Sequence, residues 1–204
     1  MPTTTKEDKQ AYCSCMEQVK RRLALVRKVA NGEIQTGDAD ANAEFICFQL
    51  RRILELIAFA TLAANRDRYS QIRNDVENEW RSKHIFKKLR EINPDFYPVP
   101  VIPTHVAPNT WHFDLRADGF LTEAEFFLLY DKCSEAVHEW NPFRTDVRLI
   151  DFELSLMEWA TRIENLLEFH RIRLVDQSDI LLVRLSDPKD GKSYVLTGTP
   201  QPEP

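Results

Sequence analysis

Tyr130, Ser134 and His138 recur at a spacing of four, which stacks a phenol, a hydroxyl and an imidazole along one face of a helix. The stretch reads Y-D-K-C-S-E-A-V-H-E-W-N-P-F and stops at Asn141-Pro142, because a proline disfavours helical geometry in the residue before it. An imidazole titrates near neutrality and can move protons without a metal. The stretch is the best candidate for a functional surface, and by itself it names no reaction.

Asp131, Ser134 and His138 also supply the residue types of a serine hydrolase. A working triad sets the base between nucleophile and acid, usually from separate elements, and no G-x-S-x-G elbow occurs in the chain. Cys133 and His138 lie five apart and point differently. The plainer reading is a half-buried polar face, with Ser134 bonded back to the helix backbone. Such a face could bind a partner or line a small-ligand pocket. Its candidate residues are Tyr130, Ser134, His138 and Asn141, together with Arg51, Arg52 and Glu55, the charged stripe on an otherwise apolar segment.

Asp114 to Glu125 imitates a calcium loop. Asp118, Gly119, Thr122 and Glu125 fall at its fifth, sixth, ninth and twelfth positions. Arg116 occupies the third position, where a cation repels calcium, and the segment entering the loop is not helical in pattern. A turn at Ala117-Asp118-Gly119 followed by a capping box, with Thr122 as N-cap and Glu125 closing it, explains the same residues without a metal. His84, His105, His112, His138 and His170 form no H-E-x-x-H helix, and Cys13, Cys15, Cys47 and Cys133 form no C-x-x-C pair. We therefore expect no metal site and no cofactor, and reduced thiols. His170 is expected to be a packed, hydrogen-bonded core histidine.

The elements that must position these residues follow from periodicity. Lys6 to Asn31 carries Met16, Val19, Leu23, Val26 and Ala30 at helical spacing and is closed by Gly32. Ala43 to Asn65 is apolar around most of its circumference, which marks it as central. A third helix is expected over Tyr69 to Ile92. It carries Arg73, Arg81, Lys83, Lys87, Lys88 and Arg90 with Arg66 and Arg68 just before it, interrupted by Asp75, Glu77 and Glu79. A solvated charged face is the expectation there, with phosphate contact beside Tyr69 and Trp80 as the alternative.

Five prolines between Pro94 and Pro108 make Asn93 to Asn109 an extended, polyproline-like crossing, followed by a short strand over Trp111 to Leu115. Thr122 to Glu139 and Asp146 to His170 read as the fourth and fifth helices. The fifth has an apolar face of Leu149, Phe152, Leu156, Trp159, Ile163 and Leu166. Ile180 to Leu185 and Ser193 to Thr197 flank Asp187-Pro188-Lys189-Asp190-Gly191 as a β-hairpin.

The chain has 204 residues, 43% of them hydrophobic and 29% charged, with five glycines and a net charge of −5. That is ordinary for a soluble globular protein and argues against a general nucleic-acid coat. No apolar run reaches the roughly 20 residues needed to cross a bilayer, so a cytoplasmic protein with no membrane partner is expected.

Long helices such as Phe45 to Asn65, with a tyrosine–serine–histidine line ending a late helix at Tyr130 to Pro142, resemble the HEPN superfamily over residues 6–170. The resemblance implies a dimeric helical bundle that is either a metal-independent ribonuclease or a non-catalytic binding partner in a stress or defence system. Active members place an arginine a variable few residues before a histidine. Asp131, Lys132 and Cys133 fill that window before His138, and Arg162 lies one position too far from His170. In the absence of that arginine, the resemblance allows a degenerate ribonuclease that uses Lys132 for phosphate and His138 as acid–base.

The fold expected is thus mainly α: an antiparallel helical bundle over residues 1–175 with an extended insert at 93–121, then a small C-terminal hairpin and disordered tail over 176–204. The expected function is a non-catalytic HEPN-like interaction or accessory protein of a bacterial-type stress or defence system, homodimeric or bound to a protein partner. The alternatives are a ribonuclease using His138, with RNA as partner, and a small-ligand binding module.

Overall fold

The computed structural model describes residues 4–66, 69–70, 82–108, 110–139, 141–143, 150–174 and 179–199. Helix α1 (Lys6–Ala30) starts from a capping box between Thr5 and Asp8. It ends in a Schellman turn: Gly32 at φ 75° lets Glu33 N–H donate to Lys28 C=O (2.8 Å) and Gly32 N–H to Val29 C=O (3.0 Å). Asp38 caps α2 (Ala39–Ala64), which packs against α1 as an antiparallel hairpin. Met16, Val19, Leu23 and Val26 line the seam from α1, while Ala30 is exposed and Val29 is buried in its place. Ile46, Leu50, Ile53, Leu54, Ile57 and Leu62 of α2 are all buried, each contributing roughly 1.5–3 kcal/mol.

Helices α3 (Ser82–Ile92) and α4 (Glu123–Ala136) pack on α2. Between them, Phe86 meets Phe126 at 4.4 Å and Phe96 edge-on at 5.0 Å between ring centroids. Helix α5 spans Leu156–Leu167. Its Trp159, Ile163 and Leu166 are buried as the apolar face requires. Phe152 lies before the helix and accepts the Trp159 indole N–H through its carbonyl (2.9 Å). The expected helical segments at 71–81 and 146–149, with Arg73, Asp75, Glu77, Glu79, Trp80, Arg81 and Leu149, lie outside the described residues, as do Arg68 and the tail from residue 200.

The expectation of a mainly helical bundle with one small hairpin is overturned by a five-stranded antiparallel sheet, which makes the protein α+β. Its strands are β1 (Val99–Ala107), β2 (Thr110–Leu115), β3 (Phe169–Arg173), β4 (Ile180–Arg184) and β5 (Tyr194–Gly198), in the order β2-β1-β3-β4-β5. The hairpin expected at the C-terminus is present as β4–β5. It is joined to the rest through β3, which pairs with β4 over five residues on either side of the expected boundary at 175/176.

Two misreadings hid the sheet. The proline-rich crossing is strand β1, which keeps Pro100 and Pro103 at little cost. Arg116 N–H donates to Pro100 C=O (3.1 Å) just past the end of β2, and the β3 pairing stops at Pro100, so neither missing proline N–H falls inside a two-sided ladder. Residues 168–170 do not continue the fifth helix. The chain turns from Leu167 directly into β3 with no glycine or proline to mark the change.

One face of the sheet receives the helices. His170 from β3 is fully buried against Tyr12 of α1, and Ile172, Leu181 and Val183 share that interior. On the ribbon β1–β2, Ile102, Val106, Trp111 and Leu115 stand between 48% and 60% exposed, Trp111 and Leu115 on the face opposite His170.

Candidate functional site

Helix α4 begins where the calcium-loop imitation was expected to be a cap. Thr122 N–H donates to Glu125 Oε2 (2.8 Å), Glu125 N–H donates to Thr122 Oγ1 (3.3 Å), and Arg162 pairs with Glu125 at 2.5 Å. Gly119 takes φ 71° in the turn, its carbonyl accepts from Asn165, and Arg116 pairs with Glu168 at 2.7 Å. Among the described residues no group of three or more His, Cys, Asp or Glu could hold a metal ion.

From that start, α4 runs to Ala136 with Val137 as its C-cap. Tyr130 and Ser134 therefore lie within the helix and His138 lies beyond it. The Ser134 hydroxyl donates to its own helix, to Tyr130 C=O at 2.6 Å. Tyr130 faces α2, where the Arg51 guanidinium lies 5.3 Å from its ring centroid and 3.5 Å from its hydroxyl. The Lys83 ammonium of α3 lies 6.0 Å from the same ring and pairs with Asp131. Glu55 holds the arginine stripe in place, with Arg52 at 2.9 Å and Arg51 at 3.5 Å.

The structure therefore brings together Arg51, Arg52, Glu55 and Tyr130 and adds Lys83, which the sequence reading had assigned to a solvated basic face. His138 and Asn141 lie beyond the end of α4. His138 is exposed at the helix end, its N–H donating to Glu135 C=O (3.4 Å). Asn141 folds back to accept from Phe143 N–H (3.0 Å). Lys132 is half-buried.

Cys47 and Cys133 meet behind this cluster, both fully covered. The hydrogen bond between the two thiols and their burial push Cys133 up and hold it protonated, while the same bond pulls Cys47 down. Both remain free cysteines.

The basic residues Lys83, Lys87 and Arg90 line a cavity of about 480 Å³ with Phe86, Phe127 and Glu91. Two of the three cations are already matched, Lys83 by Asp131 and Arg90 by Glu123. Arg66, expected with this group, instead reaches the buried carboxylate of Asp8 at 3.6 Å.

A second feature was not anticipated as a site. β1 and β2 pair with Val101, Pro103 and His105 opposite Leu115, Phe113 and Trp111, which gathers these six on one face. Phe113 stacks on Phe169 (5.8 Å, 17° between planes) and His105 sits 4.9 Å from Trp111. The sequence signal was the alternation Trp111, Phe113, Leu115 against His112 and Asp114. No known family, curated protein or solved structure matches the chain.

Proposed function

We propose that this protein is a non-catalytic interaction or accessory protein, of the kind the HEPN resemblance implies for stress or defence systems, which works by presenting surface to a protein partner. The observation that carries the reading is the Ser134 hydroxyl at the centre of the polar line, committed to Tyr130 C=O at 2.6 Å. A nucleophile or proton relay needs that hydrogen bond directed at a base instead. Tyr130 is likewise engaged by Arg51 and Lys83, and His138 follows the end of the helix that carries Tyr130 and Ser134. The homodimer or protein partner belongs to the same proposal.

Purified protein incubated with RNA, with and without chelator, is expected to leave the RNA intact. Chelator-resistant cleavage that disappears in a folded His138→Ala variant would overturn the reading in favour of a ribonuclease using Lys132 and His138.

A second reading, a binding module for a small anionic ligand, is favoured by the cavity between α3 and α4, which Lys87 lines together with Phe86 and Phe127. Titration calorimetry with inorganic pyrophosphate checks it. Saturable heat lost in Lys87→Glu would support it, and no heat would remove it.

A further inference from the structure

We infer that the open edge of β2 is a self-complementary docking strand that joins two copies of this chain into one continuous antiparallel sheet, with the twofold axis at Phe113. The two edges of the sheet differ in kind. The β5 edge is tied down by α1: Lys9 Nζ donates to Thr197 Oγ1 (2.6 Å), and Ser193 N–H donates to Glu17 Oε1 (2.6 Å). Among the described residues β2 pairs with β1 alone.

The hydrogen-bond parity of β2 follows from one contact. Because Arg116 N–H donates to Pro100 C=O, residues 116, 114 and 112 face β1 and residues 115, 113 and 111 direct their N–H and C=O outward. The strand lacks the usual safeguards against edge pairing. It has no proline, no lysine and no bulge of its own.

The choice of occupant comes from charge and register. In an antiparallel pairing centred on Phe113, Trp111 of each copy meets Leu115 of the other in the hydrogen-bonded positions, and Phe113 meets Phe113. His112 of each copy then meets Asp114 of the other in the non-hydrogen-bonded positions, where side chains approach most closely. A histidine faces a carboxylate twice, and no like charges oppose. The apolar row Trp111, Phe113, Leu115 continues across the axis on a single face. Trp111 and Leu115, at 52% and 60% exposure, each gain the other as a cross-strand neighbour, which buries one flank of each.

The inference rests on the interaction-protein reading and names its partner as a second copy. RNA cleavage would overturn that reading without touching the edge pairing, and a monomer would overturn the edge pairing without touching the reading.

Sedimentation equilibrium of the full chain tests it, and a concentration-dependent dimer is expected. Phe113→Pro removes an outward N–H while sparing the ladder to β1, and should leave a monomer with an unchanged far-UV spectrum. His112→Asp sets carboxylates opposite one another twice and should raise the dimer dissociation constant about tenfold. His112→Asp combined with Asp114→His restores the opposition of unlike groups and should recover affinity. A chain that stays monomeric to millimolar concentration overturns the inference. So does a dimer indifferent to Phe113→Pro, or a double exchange that fails to recover what the single exchange lost.

Discussion

β4 and β2 are short apolar strands of the same sheet, and they end in opposite environments. Leu181 and Val183 of β4 have no exposed surface, whereas Trp111 and Leu115 of β2 are more than half exposed. Strand propensity does not separate them. The difference is the face each row occupies: Leu181 and Val183 share the face of His170 and Ile172, which α1 covers through Tyr12, whereas Trp111, Phe113 and Leu115 lie on the opposite face with Phe169. An apolar pattern thus says that a strand has a face to cover and leaves open what covers it. In β4 the cover is this chain's own helix, and in β2 we assign the neighbour along the edge to a second copy.

The largest expected effect breaks the comparison at its centre. Leu181→Ala should cost about 2–5 kcal/mol in urea unfolding, from lost transfer energy plus a cavity. Leu115→Ala, measured at a concentration where the chain is monomeric, should stay within about 0.5 kcal/mol. Equal losses at the two positions would show that the ribbon is packed as tightly as the sheet centre.

Next in size is the buried imidazole. His170 Nδ1 lies 3.1 Å from Leu167 C=O and Nε2 lies 2.8 Å from Tyr12 Oη. That set is satisfied by a neutral ring donating from Nδ1 and accepting the tyrosine proton at Nε2. Burial pushes its pKa from the ordinary 6.5 down to about 4. Between those values the unfolded chain binds a proton that the folded protein refuses. The stability contribution is therefore fully present above pH 6.5 and is lost as pH falls towards 4, at most roughly 3 kcal/mol. Unfolding free energies across that window should fall with acid in the native chain, and His170→Leu should flatten this part of the slope. Tyr12→Phe, which leaves Nε2 buried without a donor, should cost about 1–3 kcal/mol.

A smaller effect lies at α4. Thr122→Ala removes the N-cap and should lower stability by about 1 kcal/mol.

Much of the helical part of the fold was legible, because helix signals are local. The stripe Met16, Val19, Leu23, Val26, the closing Gly32, the all-round apolar α2 and the box Thr122–Glu125 each lie within a few turns of sequence. The strands were legible where turn residues announce them, as at Asp187 to Gly191. β3 was not, because α5 runs into it unmarked. The alternation of buried His170, Ile172 and Leu174 with Arg171 and Arg173 was its signal, and the apolar face of the preceding helix masked it. β1 was hidden by its prolines, which are compatible with a strand only where neighbours do not need their N–H groups.

The candidate site divides in the same way. The stripe Arg51, Arg52, Glu55 and the pairing of Ser134 with its own helix were readable from spacing. That Tyr130 would face Arg51, 79 positions away, was not.

The sequence by itself determined where α1 starts and stops, where α2 and α3 stop and α4 starts, which helix faces are apolar, and that His170 belongs in the core. Only the tertiary structure decided that β1 pairs with β3 through partners such as Pro100 and His170, that the C-terminal hairpin extends the same sheet, and that Trp111 and Leu115 are left on an open edge. The physical reason is that a helix satisfies its hydrogen bonds within a few residues, so its pattern is written locally. A strand satisfies them with a partner that can lie anywhere in the chain, and its exposure depends on which of its faces the helices cover.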